Sequence, residues 1–377
     1  MCMLTDRRDF IKWTAAGLAL LPQLQGCTIG KEHSKNLFLT ACDDQLGNHF
    51  VTGFDDAGRT LFYIPVSQRA HGVAVNPRYR ADVVFFSRRP GTSLHKVNIA
   101  NGTLLSIVDS GAGRHFYGHG CYASDGSVLY VTENDYKSGR GIITVRDAAS
   151  LKTLHEFPSY GIGPHELHFL PDGKTLVVAN GGIETHPSRP REKLNLGDMQ
   201  PSLVYIDAIS GKLIDEYRTP NSQLSIRHLD VNRDGIVGIA MQYEGDPKNR
   251  VSLIATHKGE RQLQLFDVED YQWNLLQHYC GSVTFANLSK EARLDIAAVS
   301  SPRGGRLMLC DFLGRKVLRD YSITDVCGVA YSDEKRAFIA TTGSGKIYQI
   351  DVSGENFYIR GITSDRSVRW DNHLLSV

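Results

Sequence analysis

From about residue 36 onward, apolar and polar positions alternate in short runs of strand length separated by small polar turns, and no segment carries a helical period. The runs recur as a unit of roughly 50 residues, the signature of a repeat architecture. Its clearest copies open at His119-Gly-Cys-Tyr-Ala-Ser-Asp-Gly126, Glu166-Leu-His-Phe-Leu-Pro-Asp-Gly173, His228-Leu-Asp-Val-Asn-Arg-Asp-Gly235 and Cys327-Gly-Val-Ala-Tyr-Ser-Asp-Glu334. His71-Gly-Val-Ala-Val-Asn-Pro77 is a fifth copy and Gly281-Ser-Val-Thr-Phe-Ala-Asn287 a weaker sixth. After each turn comes a second strand, such as Val128 to Glu133 or Ile236 to Gln242. A third usually ends in Asp (Ile142 to Asp147, Leu203 to Asp207, Gln262 to Asp267, Arg306 to Asp311, Lys346 to Asp351), and a fourth closes the unit, as in Lys212 to Arg218.

Four-stranded units repeated in this way predict an all-β, seven-bladed β-propeller. Six units run from residue 71 to about 362. The seventh blade is expected to take its innermost strand from His373 to Val377 and its outer three from Asn36 to Val66, closing the ring without a covalent link and covering two sheet edges. No Pro/Ser-rich linker divides residues 36–377, so a single propeller is expected there.

Composition narrows the function classes. With 42 Lys+Arg against 41 Asp+Glu the chain has no net field to recruit nucleic acid or an acidic membrane. Residues 1–26 read as an export leader: Asp6-Arg7-Arg8-Asp9-Phe10-Ile11-Lys12 fits the twin-arginine (Tat) pattern, and an uncharged stretch too short to span a bilayer follows from Trp13 to Leu21. Leu24-Gln25-Gly26-Cys27 resembles a lipobox, making Cys27 the expected lipidated N-terminus of a periplasmic protein, with membrane contact only through that anchor. Five cysteines remain (Cys42, Cys121, Cys280, Cys310, Cys327), an odd number without a CxxC pair; Cys121 and Cys280 read as buried apolar residues, with a disulfide between them left open.

In a propeller, the starts of the first strands and the loops joining second to third strands share one face of the central channel. Superposing the repeats therefore stacks His71, His119, Glu166, His228, Gly281, Cys327 and His373 around the axis, with His165 and Arg227 one residue earlier. Imidazole, carboxylate and thiolate together are ligands for a first-row transition metal, iron or copper with zinc also possible. Candidate ligands are His71, His119, Glu166, His228, His373 and His165, of which three or four would hold one ion. Against this stand histidines that merely tie blades together by hydrogen bonds, and a metal-free general base. The irregular segment Gly181 to Gln200 is expected to cover this mouth as a lid, offering Glu184 and His186 as outer ligands and Arg189, Arg191 or Lys193 to an anion, or else to be a solvated hairpin. Arg227, Cys327 and Gln242 are candidates for substrate contact or for supporting the ligands, and Glu133, Asn134, Asp135, Asn180, Tyr243 and Glu244 are expected at the same mouth.

Other signals fall away. Asp230-Val-Asn-Arg-Asp-Gly235 opens like a calcium loop, but Met241 stands where a bidentate Glu is required, and a turn is the better reading. Gly343-Ser-Gly-Lys346 lacks the spacing of a phosphate loop; no nucleophile elbow, HExxH pair or dinucleotide fingerprint is present, so no nucleotide cofactor is expected.

His71-Gly-Val-Ala, Tyr117-Gly-His-Gly, Gly161-Ile-Gly-Pro-His-Glu-Leu, Gly181-Gly-Ile-Glu-Thr-His-Pro, Lys193-Leu-Asn, Met199-Gln-Pro-Ser-Leu, Arg227-His228 and Met241-Gln242, together with the leader, resemble a family of Tat-exported bacterial β-propellers of uncharacterised function. Members of that family are often encoded beside imelysin-like iron-regulated proteins and di-haem, thiol-oxidoreductase-like proteins. The resemblance implies a role in periplasmic iron or other metal acquisition, with imelysin-like or haem proteins as partners, and no reaction. Cys327 in the axial column is a departure whose role it leaves open. Three expectations follow: a metal-binding propeller in iron or copper handling, a metal-dependent oxidoreductase on the same ring, or a metal-free interaction scaffold.

Overall fold

The computed structural model describes residues 36–189, 192–288, 294–352 and 357–377. The leader at 1–26, Cys27 and Arg191 lie outside them. Within the described residues, seven antiparallel sheets, each running inner to outer edge, form a seven-bladed propeller. The first blade comprises Ala70–Val75, Asp82–Ser87, Ser93–Asn98 and Thr103–Asp109. The second to sixth blades open on Arg114–Tyr122, Pro164–Phe169, Leu224–Val231, Ser282–Phe285 and Val326–Ser332. Short 3-10 turns at Leu196–Asp198 and Trp273–Leu276 are the helical pieces among the described residues, and no helix there is long and apolar enough to cross a membrane.

Strand position explains strand composition. Second strands such as Ile296–Ser301 are covered on both faces by neighbouring blades and are buried throughout, whereas the outermost Thr103–Asp109 meets solvent and alternates. The core therefore lies between blades: Phe285, Phe312 and Phe266 interlock with rings 4.9 and 5.2 Å apart. The Asp-Gly turns work as expected. At Asp125 the carboxylate accepts the Ser127 N–H at 2.9 Å while Gly126 takes φ 69°. The calcium-like segment is likewise a turn, with Asn232 Oδ1 accepting the Asp234 and Ile236 N–H groups at 3.0 and 2.9 Å.

Two strand expectations need correction. In the fourth blade the third strand is Ile254–His257, fully buried, and Gln264–Leu265 is a two-residue fourth strand; the Asp-terminated pattern at Gln262 to Asp267 marked the outer position. In the seventh blade the innermost position is shared by Val368–Trp370 and Leu375–Ser376, both pairing with Leu37–Asp44. The strand breaks at Asp371 to Leu374 because Asp371 turns inward to Arg69 and His71, while Thr40 Oγ1 donates to the His373 carbonyl at 2.6 Å.

Glu133 is not at the channel mouth but fully buried in the second blade, where it accepts from Arg146 Nη2 and Thr144 Oγ1, each at 2.7 Å. Arg146→Ala leaves that carboxylate buried without its cation and is expected to cost about 3 kcal/mol, read as a lower denaturant midpoint with an unchanged slope. An unchanged midpoint would show the pair to be dispensable.

Candidate metal centre

Each of the inner strands that opens the first, second, third, fourth and sixth blades carries a register irregularity at the axial column: between Ala70 and Val73, Phe116 and Gly120, Pro164 and Leu167, Ile226 and His228, and Val326 and Val329. A bulge breaks the strict alternation of side chains and re-aims one of them. That is how neighbours such as His165 and Glu166, or Arg227 and His228, can both serve the channel. Gly118 belongs to one such bulge: its φ is 99°, and a Cβ there would lie 2.8 Å from the His71 ring.

The bulges, with the strand break at Asp371 to Leu374, gather five imidazoles. Ring centroids are 4.3 Å apart for His71 and His373, 4.5 Å for His119 and His373, 4.7 Å for His165 and His228, and 4.8 Å for both His119 and His165 and His228 and His373. Two trios, His71–His119–His165 and His119–His228–His373, each have ligand atoms within 4.8 Å of one another. His119 belongs to both. The cluster lies between two cavities: His71, His165 and His228 line the one at the predicted mouth, of about 290 Å³, while His119 and His373 line the one beyond it, of about 260 Å³.

Carboxylates stand behind the rings. Asp371 is ionised, since the His71 imidazole and the Arg69 guanidinium more than offset the upward push of burial, so His71 Nδ1 must be the donor in their 2.5 Å contact. The His71 Nε2 lone pair is left facing the cluster. Glu166 places Oε2 3.3 Å from His228 Nδ1 and Oε1 3.4 Å from both His119 Nδ1 and His168 Nε2. Burial pushes its carboxyl up, but His119 and the hydrogen bonds from these rings outweigh that and hold it well below the usual range. Expected as a ligand, Glu166 thus sits one step back, in the place of a carboxylate that fixes the tautomer of a ligating histidine. Burial lowers His71 to about 3 and takes His165 and His373 well below the ordinary imidazole value. These rings are neutral at physiological pH. His119 Nε2, His373 Nε2 and His165 Nδ1 are buried with no hydrogen-bond partner, a costly state for a neutral polar atom.

The remaining candidates are spread more widely. Cys327 is buried at the start of its strand with its thiol toward the Asp325 carbonyl at 3.2 Å, and burial pushes it far up, so no thiolate is on offer. Within the 181–200 segment, Asn195 accepts the Glu184 N–H at 2.7 Å and donates to the Gly182 carbonyl at 2.9 Å. This cross-link holds Glu184 beside Gly139, and the His186 ring packs 5.2 Å from that of Tyr136, away from the mouth. Among the described groups expected of the segment, Lys193 alone lines the mouth, pairing with Glu244. Arg227, Gln242 and Glu244 line it too, whereas Asn134 bonds to His115, Asn180 to Ser159, Asp135 caps its own turn and Tyr243 accepts from Asn249. Cys42, Cys121, Cys280, Cys310 and Cys327 are all free thiols.

Sequence reading missed Asp371, Arg69, Arg88, Arg89, Tyr117, Tyr279 and Arg303, all at or behind the mouth. The signal for some was present: Arg88-Arg89 and Arg303 follow second strands in the same register as Gln242 and Glu244.

The chain belongs to a known family, since the model described as "Protein of unknown function (DUF1513)" matches residues 64–377. No curated protein matches it. Among solved structures it is similar to a chain of "Crystal Structure of Mitotic Checkpoint Complex", with TM-score 0.51 and 10% identity over 77% of this chain and 76% of that one. A chain of "Kuenenia stuttgartiensis Hydrazine Synthase" follows at TM-score 0.46 and 16% identity, covering 88% and 80%. At such identities the first likeness speaks to fold alone.

Proposed function

We propose that this DUF1513 protein binds a transition metal, iron or copper, at the axial histidine cluster and works in metal acquisition or handling in the periplasm. The carrying observation is chemical. Five buried imidazoles converge, burial keeps His71, His165, His228 and His373 in the neutral form, and three of the five rings leave a nitrogen without any partner. Neutral imidazole nitrogens are ligands for iron, copper and zinc, and carboxylates bonded to their far nitrogens raise ligand basicity. The residues present fit such an ion. His119, shared by both trios, would ligate with two or three of His71, His165, His228 and His373, while Asp371 and Glu166 hold the rings.

Rings that only tied blades together would have their nitrogens bonded, which is the reason to prefer ligation over that role. Export by the twin-arginine leader at 1–26 and anchoring through Cys27 belong to the same proposal, as do imelysin-like and haem-protein partners; their support is the leader motif and the family resemblance.

Elemental analysis tests the reading on full-length protein exported by its own leader and purified without chelator. Roughly one equivalent of iron, copper or zinc is expected, and a folded His119→Ala/His228→Ala variant should lose it. No bound metal, even after reconstitution with each ion, would overturn the proposal.

A further inference from the structure

The mouth above the histidines carries a charge imbalance that a metal does not account for. Its walls bring together Arg69, Arg88, Arg89, Lys193, Arg227 and Arg303. Two of these cations have carboxylate partners, Arg69 with Asp371 and Lys193 with Glu244. Among the described residues Arg88, Arg89, Arg227 and Arg303 form no ion pair. Arg227 is 5% exposed and its Nε is buried with no hydrogen-bond partner. A buried guanidinium facing other guanidiniums is costly to keep, and a protein that keeps one without a carboxylate has built a place for an anion.

We infer that this mouth is a binding site for a small polycarboxylate anion. The placement of the cations favours several carboxylates on one skeleton over a single compact phosphate. Arg88 and Arg89 enter from the first blade, Arg227 from the fourth and Arg303 from the fifth, so the charges stand around the rim on opposite sides of the axis. The Arg303 guanidinium is stacked 4.4 Å over the Tyr279 ring, which orients its fork, and Asn372 Nδ2 donates to the Tyr279 hydroxyl at 3.2 Å. A cavity of about 290 Å³ has the volume of roughly ten waters, which admits a tricarboxylate of citrate size. The far cavity has the opposite character, with Glu166, Asp230 and Asp333 among its walls. An anion therefore enters at one end of the channel only, and the site stands on the guanidiniums, not on the metal reading.

Calorimetric titration of citrate into the full-length, metal-free protein at neutral pH tests this, with acetate and inorganic phosphate titrated in parallel. Citrate is expected to saturate at one per chain and to bind at least tenfold more tightly than either. Arg227→Gln and, separately, the exposed Arg303→Gln should each weaken citrate by about tenfold, the loss of one charged hydrogen-bonding partner. Arg227→Gln should also leave the protein at least as resistant to thermal unfolding, because it removes a buried unpaired cation. That combination is not expected of a residue that only supports the fold. His119→Ala, whose ring does not line the mouth, should keep citrate binding even where it loses metal. Absence of citrate binding to the metal-free protein would overturn the inference without touching the metal centre. Equal affinity for phosphate, or unchanged citrate affinity in both arginine variants, would overturn it as well.

Discussion

Deleting residues 373–377 is expected to lower the thermal unfolding midpoint by roughly 5–10 °C, a large effect for a five-residue tail. The deletion removes the pairing of Leu375 with Leu39 and Ser376 with Phe38, the Val377 N–H bond to the Leu37 carbonyl at 2.9 Å and the Thr40 bond to the His373 carbonyl. At about 1 kcal/mol per hydrogen bond and about 2 kcal/mol for the buried Leu374, the loss is about 6 kcal/mol, comparable to the whole stability of many domains. It also exposes the edge of Leu37–Asp44, the strand whose Phe38 packs on the sixth blade side and Leu39 on the first. Calorimetry of the truncated and intact chains decides it. An unchanged midpoint would mean that Val368–Trp370 alone closes the ring.

The metal-free protein should lose stability steeply below about pH 6.5. Burial lowers His95 and His115 to about 4, and neither belongs to the axial cluster. A folded pKa below the unfolded value means that, between the two, the unfolded chain takes up the proton and the folded one does not. The stability is therefore complete above the unfolded pKa near 6.5 and is lost as pH falls toward the folded one. At pH 5 each of these two residues costs about 2 kcal/mol, and His71, lowered to about 3, adds about as much. His165, His228 and His373 act in the same direction. Denaturant titrations at pH 7.5 and pH 5 should thus differ by about 6 kcal/mol or more. His95→Leu should remove its share of the slope, since both His95 nitrogens are buried without partners and nothing is lost by an apolar replacement. Equal stability at the two pH values would show that these rings protonate inside the fold.

The metal centre and the anion site fit one arrangement of the channel. The histidines form a neutral partition between a cationic mouth and an acidic far cavity, so an anion and a cation would approach the same rings from opposite ends. Citrate should then alter metal release from the intact protein, and in Arg227→Gln the same effect should require about tenfold more citrate. That makes the two sites separable by mutation although they share His71, His165 and His228 as walls.

Fold and axial column were legible in the sequence because both are properties of a repeat. A polar turn, Asp-Gly in three of the copies, and a strand covered on both faces recur from copy to copy, and six copies with the two terminal segments fix the blade count and the register together. That register is what puts His71, His119, His228 and His373 in one column. What the repeat could not carry is anything that differs between blades. Bulges in five of the inner strands decide which of two neighbouring side chains meets the channel, and so set Glu166 behind the rings and Cys327 against Asp325. The break at Asp371 brings a carboxylate to His71 and Arg69 across about 300 residues of chain. The four guanidiniums of the mouth come from the first, fourth and fifth blades, which places them far apart in sequence and around a common rim in space. Local sequence fixes turn chemistry and alternation; which charge meets which is decided by ring closure, since only that brings the strand ends of separate blades to a common axis.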